Sequence, residues 1–208
     1  MTFLRCFAFL ALIFSSLAAE AKQRGEPVFA EAPYDAELIN SITALSPTID
    51  RNEARQVAYT AYTTGRELRR DWQVVYPPGY QNYLVTHGKR PGGYCYQFAT
   101  ELLHRLVPLQ LKTIQLHWAE SFQGTLSEHN VIVVTAIGQP FGKGILLDNW
   151  RYGGRLVWGP IRTDPHYRWT ENAGELARRW PRAVATKRAA VATTARTSAP
   201  EKSPERSE

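Results

Sequence analysis

The stretch Gly92-Gly93-Tyr94-Cys95-Tyr96-Gln97-Phe98-Ala99 runs on into Thr100-Glu101-Leu102-Leu103-His104-Arg105-Leu106. Two glycines make a turn and a cysteine follows. Then Ala99, Leu102, Leu103 and Leu106 recur at i, i+3, i+4 and i+7, one apolar face of a helix. Cys95 is therefore expected at or near a helix N-terminus. Unpaired N–H groups point outward there and the helix dipole favours negative charge. A thiolate is negative, so such a position favours the nucleophilic form of a cysteine. The glycines let the chain turn sharply and approach closely.

Before this stretch, Tyr76-Pro77-Pro78-Gly79-Tyr80 reads as a loop, and Tyr80 to His87 fits neither helix nor strand clearly. Further upstream, Asp50 is expected to cap a helix from Arg51 to about Trp72, with Glu53 completing a capping box. Val57, Ala58, Ala61 and Leu68 would face inward, and Gly65 weakens the middle. Ala36 to Leu45 suggests a shorter helix carrying Leu38, Ile39, Ile42 and Leu45 on one side, ended by Ser46-Pro47.

After Pro108 the period changes from helix to strand. Leu111 to Ala119 alternates, with Ile114, Leu116 and Trp118 on one face and Thr113, Gln115 and His117 on the other, as in a half-buried strand. Glu120 to Glu128 is a loop. His129 to Ile137 is rich in β-branched residues, and Ile145 to Trp150 is the next strand. Gly153-Gly154 turns the chain into Arg155 to Trp158, and Thr170 to Trp180 suggests a last helix stopped by Pro181. Helices first and an antiparallel sheet afterwards is an α+β order.

The ends read differently. Residues 1–21 have the form of a signal peptide: Arg5, an apolar run from Cys6 to Leu17, and Ala19-Glu20-Ala21 as cleavage site. A periplasmic or secreted protein is the expectation, without stable membrane insertion after cleavage. Residues 22–33 read as an extended leader, 34–181 as one domain, and 182–208 as a disordered tail poor in large apolar residues. Of the formal charge of +6, half lies in the tail, with six basic residues against three acidic. The body, residues 22–181, holds 18 basic and 15 acidic residues, too even a balance for a nucleic-acid footprint.

Cleavage would remove Cys6 and leave Cys95 alone. A lone cysteine is buried and inert, paired between chains, or reactive, and its place after Gly-Gly at a helix start favours the reactive reading. A reactive thiol needs a base and a group to orient the base. His129 opens one strand and Asp148 lies on the next. With a tight turn at Gly138-Gln139, His129 would oppose Asp148; with the turn centred on Phe141, Asp148 would oppose Val134. Asn149 is the rival orienter, on the other face of the same strand. His117 is the substitute base, while His87, His104 and His166 carry no chemical pattern. No histidine pair has zinc spacing, and neither a metal nor a cofactor is implied. An oxyanion hole would use the Cys95 N–H and an upstream donor, for which Gln81 and Asn82 are the candidates.

A helix-starting cysteine, a strand-borne histidine and the Asp of Leu147-Asp148-Asn149, in this order, resemble the transglutaminase-like superfamily of the papain-like fold, and within it the bacterial transglutaminase-like cysteine peptidases. The resemblance runs from about Pro91 to Trp158, and more faintly to Tyr167-Arg168-Trp169. It implies a papain/transglutaminase-like core, with N-terminal helices packed on an antiparallel sheet. It also implies a Cys95–His129–Asp148 triad attacking amide bonds of a protein or peptide. The family's cysteine usually has acidic neighbours, as in Gly-Asp-Cys-Glu-Asp-Tyr. Here Tyr94, Tyr96 and Gln97 stand in their place, so no calcium site is implied. The expected function is an exported cysteine hydrolase or acyltransferase acting on envelope proteins or peptides. The alternative is a non-catalytic envelope binding or scaffolding module on the same fold, with Tyr94, Tyr96, Trp118 and Trp150 lining a groove.

Overall fold

The computed structural model describes residues 28–180; the expected signal peptide (1–21) and tail (182–208) lie outside the described residues. Helix α1 spans Ala36–Thr43, with Asp35 capping the Leu38 N–H at 2.9 Å and Leu38, Ile39 and Ile42 buried. Helix α2 spans Arg51–Asp71, and Asp50 accepts from Asn52 N and Glu53 N at 2.6 and 3.2 Å. Glu53 does not close a capping box. Its carboxylate instead accepts from Lys112 N, Thr113 N and Thr113 Oγ1 at 2.6, 2.8 and 2.6 Å. Burial works to raise its pKa, but these donors outweigh it and hold the carboxyl below its ordinary value. Glu53 thereby ties the start of α2 to the start of the sheet.

The ambiguous stretch is helical: α3 spans Pro78–Thr86, with proline in its first turn and Gln81 buried. Helix α4 spans Cys95–Leu106 and buries Cys95, Phe98, Ala99, Leu102, Leu103 and Leu106. The last helix, α5, covers residues 173–180. It starts later than expected because Asn172 Oδ1 caps it, accepting from Glu175 N at 2.9 Å.

The sheet has β1 (Val28–Phe29), β2 (Ile114–Ser121), β3 (His129–Ala136), β4 (Ile145–Tyr152), β5 (Arg155–Pro160) and β6 (Thr170–Glu171). Their spatial order is β1-β5-β4-β3-β2-β6, every neighbouring pair antiparallel. Two expectations need correction. The end of the supposed leader is an edge strand, Val28 facing Trp158 and Phe29 facing Val157. Thr170 and Glu171 are not helical but form the opposite edge, against Glu120 and Ala119.

The architecture is α+β. On one face of the sheet, α1, α2 and α4 share a core with Trp118, Ile132, Val134, Leu147 and Trp158. On the other, Ala119, Val131, Val133 and Leu146 are covered by Ile161, Phe141 and Trp169. β2 is therefore buried on both faces, not half-buried as its alternation suggested; His117 is only 3% exposed. Burying one Leu or Ile contributes about 1.5–3 kcal/mol. That exceeds the roughly 1 kcal/mol a mid-helix glycine costs, so α2 continues straight through Gly65. A Cβ at Gly65 would strike Asn149 Oδ1 and lie 2.5 Å from Gly154 O, so the glycine is what lets α2 sit close against β4. No helix among the described residues is long and apolar enough to cross a membrane.

Candidate functional site

Cys95 is the first residue of α4, as the sequence led us to expect. Gly93 adopts φ +142°, and a Cβ there would lie 2.5 Å from Gln81 Cγ, so only glycine fits. The Gln97 side chain folds back and accepts from Gly93 N and Tyr94 N at 2.9 and 3.0 Å. Gln81, fully buried, donates from Nε2 to Gly92 O at 2.7 Å and accepts from Val75 N at 3.0 Å. Gln81 and Gln97 thus fix the turn that presents the cysteine. Asn82, the other oxyanion candidate, has a buried Oδ1 without a hydrogen-bond partner. The Cys95 N–H lies in the first turn of α4, where no intrahelical acceptor exists.

The sulfur reaches the end of the sheet where β3 begins. Sγ lies 3.4 Å from Glu128 O and 3.6 Å from Asn130 Nδ2. Asn130 is held in turn by Glu128 Oε1 at 3.0 Å and by Trp118 Nε1 at 3.0 Å.

The β3–β4 register matches neither of the two expected ones: Ile132 faces Leu147, Val133 faces Leu146 and Val134 faces Ile145. Continued outward, it sets His129 opposite Trp150, with Asp148 on the diagonal. A two-residue displacement keeps both side chains on one face, whereas an odd shift would have separated them. His129 Nε2 and Asp148 Oδ2 are 2.7 Å apart, and both residues are almost wholly buried. Asn149 is not the orienter. It points the other way, donates to Ala61 O at 3.1 Å and packs against Gly65.

Between Asp148 and Tyr152 the β4–β5 ladder is irregular. The backbone folds back on Asp148, whose Oδ1 accepts from Trp150 N and Arg151 N at 2.9 and 3.0 Å. Arg151 Nε adds a third donor, to Oδ2 at 3.0 Å. The other end of that guanidinium grips Asp164, NH2 to Oδ2 at 2.7 Å and NH1 to Oδ1 at 3.3 Å. Asp164 also accepts from His166 N and Trp169 Nε1, both at 3.0 Å. One buried chain of charge therefore runs from His129 through Asp148 and Arg151 to Asp164.

Burial alone would raise the Asp148 pKa, but the facing His129, the Arg151 charge and the backbone donors hold it well below the carboxylate range. Asp148 is thus ionised and accepts only, so His129 carries its hydrogen on Nε2. Burial opposes the imidazolium too. Asp148, and after it the nearby Cys95 sulfur, outweigh it and lift the His129 pKa to about 9. Nδ1 is buried and makes no hydrogen bond of its own. Trp150, Tyr167 and Trp169 close around the imidazole at ring separations of 4.6, 4.8 and 5.3 Å.

The sequence reading named Cys95, His129 and Asp148 but missed Arg151, Asp164, Asn130 and Gln97. Arg151 and Asp164 act through irregular backbone with no periodic signature; Gln97, three residues after Tyr94, carried the glutamine of a capping box and was legible. His117, the substitute base, is remote in role: Nδ1 meets Glu171 Oε1 at 2.6 Å and Nε2 meets Thr135 Oγ1 at 2.8 Å. Among the described residues no cluster of three His, Cys, Asp or Glu could hold a metal ion. No family model, no curated protein and no solved structure matches this chain.

Proposed function

We propose that this protein is a cysteine hydrolase of the transglutaminase-like, papain-like type, acting on amide bonds of proteins or peptides outside the cytoplasm. The observation that carries the reading is the His129 imidazole: Nε2 bonded to Asp148 at 2.7 Å, Nδ1 left without a bond of its own, and the Cys95 sulfur seated against Glu128 O and Asn130 Nδ2, the residues on either side of His129. The Cys95 thiolate attacks the carbonyl carbon, and the C=O electrons move onto oxygen. The Cys95 N–H stabilises that oxyanion, and the second N–H of Gln81 is the candidate partner donor. Collapse expels the amine, which takes the proton from His129 Nδ1. The acyl thioester is then released by water, deprotonated at Nδ1; an amine in place of water would make the enzyme an acyltransferase. Asp148, held by Arg151, keeps the ring orientation and stabilises the imidazolium.

A second reading, a binding module on the same fold, draws on one observation: Cys95 is 8% exposed and His129 is not exposed at all. In the catalytic reading, substrate approaches by way of the neighbouring cavity of about 380 Å³, whose wall includes Tyr167 and Trp169, two of the rings that cover His129. The rate of Cys95 alkylation by iodoacetamide across pH separates the two readings. An activated pair gives fast alkylation near neutral pH that collapses in His129→Ala. A sulfur indifferent to His129 refutes the catalytic reading and leaves the binding module.

A further inference from the structure

Three segments converge on a second cavity that the chemistry above does not use. Arg66, Arg69 and Arg70 come from one side of α2, Arg90 from the loop leading to Cys95, and Arg155 from the start of β5; together they border a space of about 770 Å³. Two of the five have carboxylate partners: Arg70 with Asp71 at 2.8 Å and Arg155 with Glu31 at 3.3 Å. Arg66, Arg69 and Arg90 have none among the described residues. Like charges spaced i, i+3 and i+4 on a helix repel. Asp71 offsets this at Arg70, and the C-terminal end of α2 favours the positive charge of Arg69 and Arg70.

The guanidiniums are also held in place. Arg69 NH1 donates to Gly153 O at 3.2 Å, and Arg90 donates from Nε to Gln73 O at 3.1 Å and from NH1 to Lys89 O at 2.9 Å. Each keeps further N–H groups uncommitted. Gly154, at φ +93°, brings its backbone against Arg69, where a Cβ would lie 2.5 Å from Arg69 Cβ. Fixed, planar donor forks without carboxylates match the oxygens of phosphate groups.

We propose that this arginine-lined cavity binds a phosphate-bearing anion. The site shares no residue with Cys95, His129 or Asp148, so it stands or falls independently of the hydrolase reading. Isothermal titration of the full chain with inorganic pyrophosphate tests it, beside sedimentation with phosphatidylglycerol and phosphatidylcholine vesicles. The expected result is saturable binding that weakens with added salt and falls at least about tenfold in Arg66→Gln/Arg90→Gln. Arg162→Gln/Arg168→Gln, which removes as much charge elsewhere, should leave it unchanged. Pyrophosphate binding identifies a soluble phosphate ligand. Binding to phosphatidylglycerol vesicles alone, lost in the Arg66/Arg90 variant, identifies a lipid headgroup. No binding in either arm, or an equal loss in both double variants, overturns the proposal. Should the Arg66/Arg90 variant fail to fold, Asp71→Asn decides: it frees Arg70, so tighter binding supports the site and unchanged binding overturns it.

Discussion

Two buried histidines on the same sheet make opposite use of similar surroundings. His117 on β2 and His129 on β3 each meet a carboxylate, Glu171 at 2.6 Å and Asp148 at 2.7 Å. At His117 the second nitrogen is occupied too, by Thr135 Oγ1. Its carboxylate sits on an edge strand and its side chain is 38% exposed. At His129 the second nitrogen is left without a bond, and its carboxylate is sealed in and fixed by three further donors. A satisfied ring ties strands together. A half-satisfied ring in a buried site stores a capacity to accept or give a proton, because an unmade hydrogen bond there costs about 1–3 kcal/mol.

The sharpest break of this comparison is to remove each ring in turn. On the hydrolase reading proposed above, His129→Ala lowers turnover of a cleaved peptide by about 10²–10⁴-fold, the range for a lost general acid–base. His117→Ala leaves turnover near that of the parent protein and lowers thermal stability instead. Equal activity losses in the two variants would undo the distinction. Next in size is Arg151→Met. It leaves Asp148 and Asp164 buried without their shared cation, and stability falls by about 3–5 kcal/mol in urea titration. The same loss is not expected from Arg155→Met, whose Glu31 partner is exposed.

Stability across pH sharpens the contrast further. The folded-state pKa of His129 is raised from 6.5 to about 9, by Asp148 and Cys95 against the opposing effect of burial. A raised histidine contributes stability that is fully present below its unfolded pKa of about 6.5 and is lost as pH climbs through the folded value. The protein should therefore lose stability between about pH 6.5 and 9. His129→Asn should flatten that slope; a slope unchanged in the variant would show that His129 is not its source. Asp148 acts at the other end. Its depressed pKa adds stability above the ordinary carboxylate range that is lost as pH falls below it.

The parts of this site that were legible in sequence are those made of local pattern. Gly92-Gly93 before an i, i+3, i+4 apolar face placed Cys95 at the helix start, and β-branched Val131 to Val134 placed β3. The facing of His129 and Asp148 was not legible, because a tight turn at Gly138-Gln139 and one centred on Phe141 differ by an odd shift and put the two side chains on the same face or on opposite faces. A hairpin of uncertain turn leaves the register free, yet any even displacement keeps the two on one face. Arg151 and Asp164 were illegible because an irregular strand and a loop aim them, and neither has a period. Glu53 misled for a related reason: the capping-box spacing was present, but Lys112 and Thr113 offered three donors from sixty residues away, which no local rule anticipates. The short strands β1 and β6 have only two residues each and take their structure from the neighbours they pair with, Trp158 and Val157 for one and Ala119 and Glu120 for the other.

Gly65→Ala is the smallest and most discriminating of the changes. By helix propensity alone it should stabilise α2 by up to about 1 kcal/mol. The added methyl group instead meets Asn149 Oδ1 and, at 2.5 Å, the Gly154 carbonyl oxygen. Gly154 is backbone in a tight turn and cannot step aside like the end of a flexible side chain, so the net effect should be a loss of about 1–3 kcal/mol. The displaced strand is the one that carries Asp148, one residue from Asn149. Strain there should reach the His129 side of the sheet and slow Cys95 alkylation, while His117 on β2, two strands from β4, keeps its bonds to Glu171 and Thr135. The two imidazole signals in NMR report this directly. Movement of His129 with His117 unchanged is the expected result. Equal movement of both would mean that the sheet transmits strain as one rigid body, and that the separation between a structural and a reactive histidine lies in their hydrogen bonds alone.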